Sequence, residues 1–126
     1  MDFSYRLVLG FAALSGFLAV AAGAFGAHGV SDPVAKGWLE TGGYYQLIHA
    51  LAAIACGLAA RQGVGSLASA WLFLAGGLIF SGSLYLMAMG APRVLGAVTP
   101  IGGLLLLAGW AWLAYSALTG PKGGVA

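Results

Sequence analysis

The chain has 126 residues and a net charge of +2; only 6% of its residues are charged, while 61% are apolar. Soluble domains carry about 25% charged residues, so this composition excludes an ordinary water-soluble protein. The small net charge also argues against nucleic acid as a partner. We therefore expect the lipid bilayer to be the main environment and partner of the chain.

Four long apolar stretches predict membrane-spanning helices over residues 7–27, 44–61, 67–89 and 99–118. About 20 helical residues, rising about 1.5 Å each, cross the roughly 30 Å of hydrocarbon in a bilayer. Helices are expected because backbone groups in lipid must find hydrogen bonds within their own segment. The predicted fold class is therefore all-α: one domain, residues 1–126, forming an integral membrane four-helix antiparallel bundle.

The first loop contains a second helix signal, Ser31-Asp32-Pro33 followed by VAKGWLE. A Ser or Asp cap with proline at the first helical position is typical of a helix start. The stretch is too short and too charged to span a membrane, and Gly42-Gly43 is expected to end it. We predict a short interfacial helix that turns three apolar side chains toward lipid: Val34, Trp38 and Leu39.

Lysine and arginine in the short loops indicate the orientation. One end of the predicted bundle holds Arg6, Arg61 and Lys122, and the other holds Lys36 and Arg93. Three basic residues at the first end against two at the other favour both termini in the cytoplasm. We expect the membrane to be a bacterial inner membrane.

With this orientation, polar side chains from several helices fall in the outer half of the bilayer. His49, five residues into a helix that begins at Tyr44, is predicted about 8 Å below the outer surface. Polar groups at membrane depth normally face protein or water. Ser81 and Ser83 are about 200° apart on their helix and should serve different neighbours. We predict a polar cluster with a binding or structural role, formed by His28, Glu40, Tyr45, Gln46, His49, Ser81, Ser83, Tyr85 and Thr99.

Glycines in the apolar stretches favour close helix packing, because small residues let membrane helices approach each other. The first helix is expected to pack in this way against the third or fourth helix. The predicted packing residues are Gly23, Gly26, Gly77, Gly102 and Gly103. The aromatic residues of the inner half are interpreted as interface anchors: Trp71, Trp110, Trp112 and Tyr115.

A metal site is the sharpest alternative for the cluster, because His28, His49 and Glu40 are possible ligands. The chain has no HxxH or HxxxH spacing on a single helix, and the two histidines are expected at different depths. We therefore predict no metal and no cofactor, haem included.

Five motifs occur in order along the chain: GAFGAHG, YYQLIHA, FSGSLYLMAM, TPIGG and Gly109-Trp110. Together, over about residues 5–118, they closely resemble the transmembrane-protein-256-like family of small four-helix membrane proteins. That family is found in bacterial inner membranes and in mitochondria-bearing organisms. The resemblance implies the fold and the membrane location, and it implies no activity.

Three functions compete at this point. The first is a structural or accessory membrane protein, either a homo-oligomer or a subunit of a larger membrane complex. The second is a transporter or channel for a small solute, ion or lipid, with the polar cluster lining a vestibule. The third is an enzyme or a metal or haem protein that uses His28, His49, Glu40 and Tyr45. Minimal loops and close-packing motifs favour the first, and we expect no enzymatic activity.

Overall fold

The computed structural model describes residues 1–120; the predicted inner-face charge Lys122 lies outside these described residues. Four α-helices follow one another: α1 (Phe3–His28), α2 (Pro33–Arg61), α3 (Leu67–Ala88) and α4 (Thr99–Thr119), with a 3₁₀ helix, Arg93–Ala97, before α4. All four are long and apolar enough to cross a membrane. The prediction of an all-α four-helix membrane bundle is confirmed.

Helices that follow each other in the chain are neighbours in space, so α2 packs between α1 and α3, and α4 packs on α3. The core between them is built from small side chains and a few large ones, including Ala53, Ala70 and Phe73. Large apolar side chains instead point outward, as Phe17 and Leu118 do. This arrangement suits lipid, in which close packing rather than hydrophobicity holds helices together.

The predicted interfacial helix is wrong, because α2 runs without a break from Pro33 to Arg61 through Gly42-Gly43. A glycine inside a helix costs only about 1 kcal/mol, and tertiary packing overrides such a preference. Here the Tyr85 ring lies on Gly42, and Gly43 lies against the backbone of α1. Leu39, expected to face lipid, is buried against Gly26 of α1.

The extra length of α2 explains why its first turns resemble an interfacial segment. Twenty-nine residues extend about 43 Å, well beyond the roughly 30 Å of hydrocarbon. The Asp32 carboxylate accepts a hydrogen bond from the Ala35 N–H at 3.0 Å and caps the helix. Lys36 Nζ donates to the carbonyls of Gly26 and Ala27 at 2.8 and 2.9 Å. Its charge thereby stabilises the negative C-terminal end of α1.

Candidate functional site

The predicted polar residues form three separate sets of hydrogen bonds rather than one network. The first set joins α2 to α3. Ser81 Oγ donates to the Gly42 carbonyl at 2.7 Å, and the Tyr85 hydroxyl donates to Gln46 Oε1 at 2.7 Å. Ser81 and Gln46 are both buried, so these bonds lie inside the bundle.

The second set joins α3 to α4. The hydroxyls of Ser83 and Thr99 are 2.6 Å apart, and Ser83 Oγ also donates to the Phe80 carbonyl at 2.8 Å. Ser81 and Ser83 therefore serve different helices, as their angular separation predicts.

The third set centres on His49 and joins α2 to α4. Its Nδ1 lies 2.7 Å from the Tyr45 carbonyl, and the Trp110 indole N–H donates to its Nε2 at 3.0 Å. A carbonyl only accepts and an indole N–H only donates, so this pattern requires neutral imidazole with its proton on Nδ1. The Phe73 ring packs beside it, with ring centroids 5.4 Å apart. Both ring nitrogens of the buried histidine are therefore in use.

The structure corrects the predicted position of His49 along its helix. It lies about 24 Å from Pro33 and about 18 Å from Arg61 along α2, near the middle of the helix. The prediction counted five residues from a helix start at Tyr44, but α2 starts eleven residues earlier, at Pro33. Trp110 is likewise not only an interface anchor, because its N–H donates to His49 of α2. The sequence analysis interpreted Trp110 only as an anchor and did not include it in the polar cluster, although the Gly109-Trp110 motif was an available signal.

His28, Glu40 and the Tyr45 side chain lie outside these sets. His28 is exposed at the end of α1, and its side chain makes no hydrogen bond within residues 1–120. Glu40 is exposed and lies 3.9 Å from Lys36. The Tyr45 ring packs on Phe80 with ring centroids 4.7 Å apart, and the Tyr45 hydroxyl makes no hydrogen bond within residues 1–120.

The hypothetical metal ligands are not brought together. Gly26, near His28, meets α2 at Leu39, and Leu39 is ten residues, about 15 Å, from His49. In the part of the chain that the structure describes, no three His, Cys, Asp or Glu side chains are grouped to hold a metal ion.

The glycines also pack differently from the expectation. Gly26 approaches α2 rather than α3 or α4, and Gly23 lies against Gly43 of α2. Gly102 lies directly on the backbone of Phe80 in α3. Gly77 and Gly103 are not at close contacts, because a methyl group would fit at either position. Further close contacts that sequence analysis missed involve Gly43, Gly76 and Gly109.

Two buried serines of α3 provide a matched test of these hydrogen bonds. Ser81→Ala should lower the thermal stability in detergent, because it leaves the Gly42 carbonyl without its α3 donor. Ser69→Ala should be neutral or stabilising, because the Ser69 hydroxyl is fully buried and has no hydrogen-bond partner within the described residues. Thermal unfolding of both variants checks this, and equal effects would contradict it.

Comparison with known proteins shows close relatives. The family model DUF423, described as a protein of unknown function, matches residues 22–103. The UPF0382 inner membrane protein YgdD of Escherichia coli (strain K12) is 44% identical over 126 residues, covering 95% of each chain. The UPF0382 membrane protein of Haemophilus influenzae is 48% identical over 107 residues, 82% of this chain and 86% of that protein.

A more distant relative is the UPF0382 membrane protein YwdK of Bacillus subtilis, 37% identical over 118 residues, 89% of this chain and 94% of that protein. No solved structure matches the chain. The family match includes all of α2 and α3, the helices that carry Gln46, His49, Ser81 and Tyr85. With relatives aligned along nearly its whole length, this small polytopic membrane protein belongs to the DUF423 family.

Proposed function

We propose that this protein is a structural or accessory component of the bacterial inner membrane, acting as a homo-oligomer or as a subunit of a larger membrane complex. The bond from Trp110 to His49 carries this proposal. An ionisable residue at membrane depth is ordinarily the first candidate for proton or ion transfer. Here both its nitrogens bind protein groups of α2 and α4, so it links helices instead.

The positions of the charged residues support the same role. Within residues 1–120, charges lie in loops, in the first eight residues of a helix or at a helix end, as Arg6, Glu40 and Arg61 do. Coupled transport usually depends on a charged side chain deep in a span. The transporter alternative therefore has weaker support than a structural role.

The outer face of α4, defined by Leu104, Leu107 and Leu118, is the surface we assign to a partner. These side chains are strongly exposed. The elements that pack extensively against α4 are α3 and the 3₁₀ helix. A cysteine at Leu107 should therefore cross-link to a second copy or to another membrane protein in native membranes. A cysteine at Leu14 on α1, which is equally exposed, is the matched control.

Purification in mild detergent, with mass measurement and identification of bound proteins, tests the proposal itself. We expect an oligomer or a stable complex. A monomer with no bound protein and no cross-link from position 107 would contradict the structural role.

The proposal includes the location and the orientation. The name of the Escherichia coli relative and the resemblance to the transmembrane-protein-256-like family support an inner-membrane location for this chain. Arg6 and Arg61 lie at the end that we place in the cytoplasm, while Arg93 lies at the other end and stacks over the Trp38 ring at 5.3 Å. Both termini are then cytoplasmic.

Cysteine labelling tests this orientation. Ser31 and Gln62 are exposed residues at opposite ends of the bundle, and the native Cys56 is buried. In a Cys56→Ser background, Ser31→Cys should react with an impermeant maleimide in intact cells. Gln62→Cys should react only after the membrane is permeabilised. The opposite pattern would reverse the orientation.

A further inference from the structure

A groove with a volume of about 460 Å³ runs between α1 and α3 and opens sideways. Its walls are apolar, and exposed side chains such as Leu14 and Leu78 form its rim, so it faces lipid rather than either aqueous side. Phe11 and Trp71 meet edge to face at its inner end, with ring centroids 6.1 Å apart. The volume falls within the range of about 300–1,000 Å³ that is usual for small-molecule sites.

Gln46 of α2 forms the floor of this groove, and it is the one member of the predicted polar cluster that lines it. The residue is 2% exposed, and its Oε1 accepts the hydrogen bond from Tyr85. Its amide nitrogen donates to no protein group within residues 1–120. Ser15 on α1 and Trp71 on α3, whose side chains each carry a hydrogen-bond donor, also line the groove. The groove therefore offers hydrogen-bond donors within an apolar wall.

The depth of Gln46 restricts what can accept those hydrogen bonds. Gln46 lies about 20 Å from each end of α2, and Ser15 of the same groove lies about 18–20 Å from each end of α1, so the groove is at mid-length of the bundle. Phospholipid ester groups lie at the border of the hydrocarbon, about 15 Å from its centre, and acyl chains carry no acceptor. None of the side chains that line the groove is charged, so the groove offers no partner for an anionic head group.

We propose that this groove binds an uncharged, lipid-soluble carbonyl compound of the quinone type. The carbonyl oxygen accepts a hydrogen bond from the Gln46 amide, beside Ser15. The hydrocarbon part lies along the groove toward Phe11 and Trp71. An acyl chain in the same place would leave the amide unpaired, which is costly in an apolar environment. This binding function is additional to the structural role and does not depend on it.

The test uses the full-length protein in phosphatidylcholine nanodiscs with decylubiquinone as the probe. Binding should quench Trp71 fluorescence saturably, measured as the difference between the wild type and Trp71→Phe. Decylbenzene has the same hydrocarbon tail and no carbonyl, and it should compete at least about tenfold less well. Absence of saturable quenching, or equal competition by decylbenzene, would overturn the proposal.

Two matched pairs of variants locate the site. Gln46→Leu and Tyr85→Phe both remove the bond between these residues, but only the first removes the donor to the ligand. We expect about a tenfold weaker affinity for Gln46→Leu and a nearly unchanged affinity for Tyr85→Phe. Equal affinities would contradict the role of the amide.

Ala75→Phe fills the groove from α3 and should abolish binding, whereas Ala108→Phe adds the same ring on the exposed surface of α4 and should not. Both positions are exposed, so the fold should tolerate either ring. Unchanged binding in Ala75→Phe would overturn the proposal. If the wild type binds no quinone and Ala75→Phe dissociates an oligomer, the groove is the contact with a second copy of the chain. That result would also overturn the proposal.

Discussion

Gly102→Ala should strongly destabilise the bundle, whereas Gly103→Ala should leave it equally stable or more stable. A Cβ atom at Gly102 would collide with the backbone of Phe80 and lie 2.9 Å from the Gly76 carbonyl oxygen. Backbone cannot move aside as a flexible side chain can, so α3 and α4 would have to separate. Overpacking commonly costs about 1–3 kcal/mol, and we expect this variant at or above the upper end.

Gly103 is the control because it is the next residue of the same helix. A Cβ atom there would meet only Phe80 Cδ2, at 3.9 Å, an ordinary contact. Alanine is favoured over glycine inside a helix by about 1 kcal/mol, so a small gain is expected. Thermal unfolding in detergent measures both variants. Equal stability of the two would show that α4 does not approach α3 through Gly102.

His49→Ala should strongly lower the stability of the bundle, and His28→Ala should change it very little. Removing the buried imidazole leaves a cavity beside Phe73 and deprives the Trp110 N–H of its acceptor. Cavity formation and the unpaired donor together should cost about 2 kcal/mol or more. His28 is exposed and makes no side-chain hydrogen bond within residues 1–120, so its loss should stay within about 0.5 kcal/mol.

We would measure the free energy of unfolding of His49→Ala and His28→Ala in mixed detergent micelles. A loss of stability that is equal in the two variants, or larger in His28→Ala, would contradict the assignment of His49 as the link between α2 and α4. Trp110→Phe provides a second check, because it removes the donor while keeping an aromatic ring against Phe73. Its effect should be smaller than that of His49→Ala, since membrane hydrogen bonds average about 0.6 kcal/mol in a well-studied bundle.

Composition and hydropathy were sufficient for the fold class, because an apolar stretch of about 20 residues has few alternatives to a helix in lipid. The boundaries of α2 were not predictable in the same way. Gly42-Gly43 is a breaker by local preference, and it is helical here because Tyr85 and the α1 backbone pack on it. Those partners are distant in sequence, so local reasoning could not weigh them.

The error in α2 spread to the candidate site. Starting the helix at Tyr44 placed His49 near one end of its helix, while the true start at Pro33 places it near mid-helix, beside Trp110. The angular positions of Ser81 and Ser83 were predictable because a helix fixes them regardless of its ends. The glycines that contact a neighbouring helix were not predictable, because those contacts depend on the register between helices.

The most direct test of the structural role of His49 is ¹⁵N NMR of its imidazole in lipid nanodiscs. We predict a neutral ring protonated at Nδ1, with Nε2 accepting the Trp110 hydrogen bond, and a clear change in the Nε2 resonance in Trp110→Phe. A ring protonated at Nε2, or a doubly protonated ring that Trp110→Phe leaves unchanged, would contradict the assignment of His49 as a helix-linking residue.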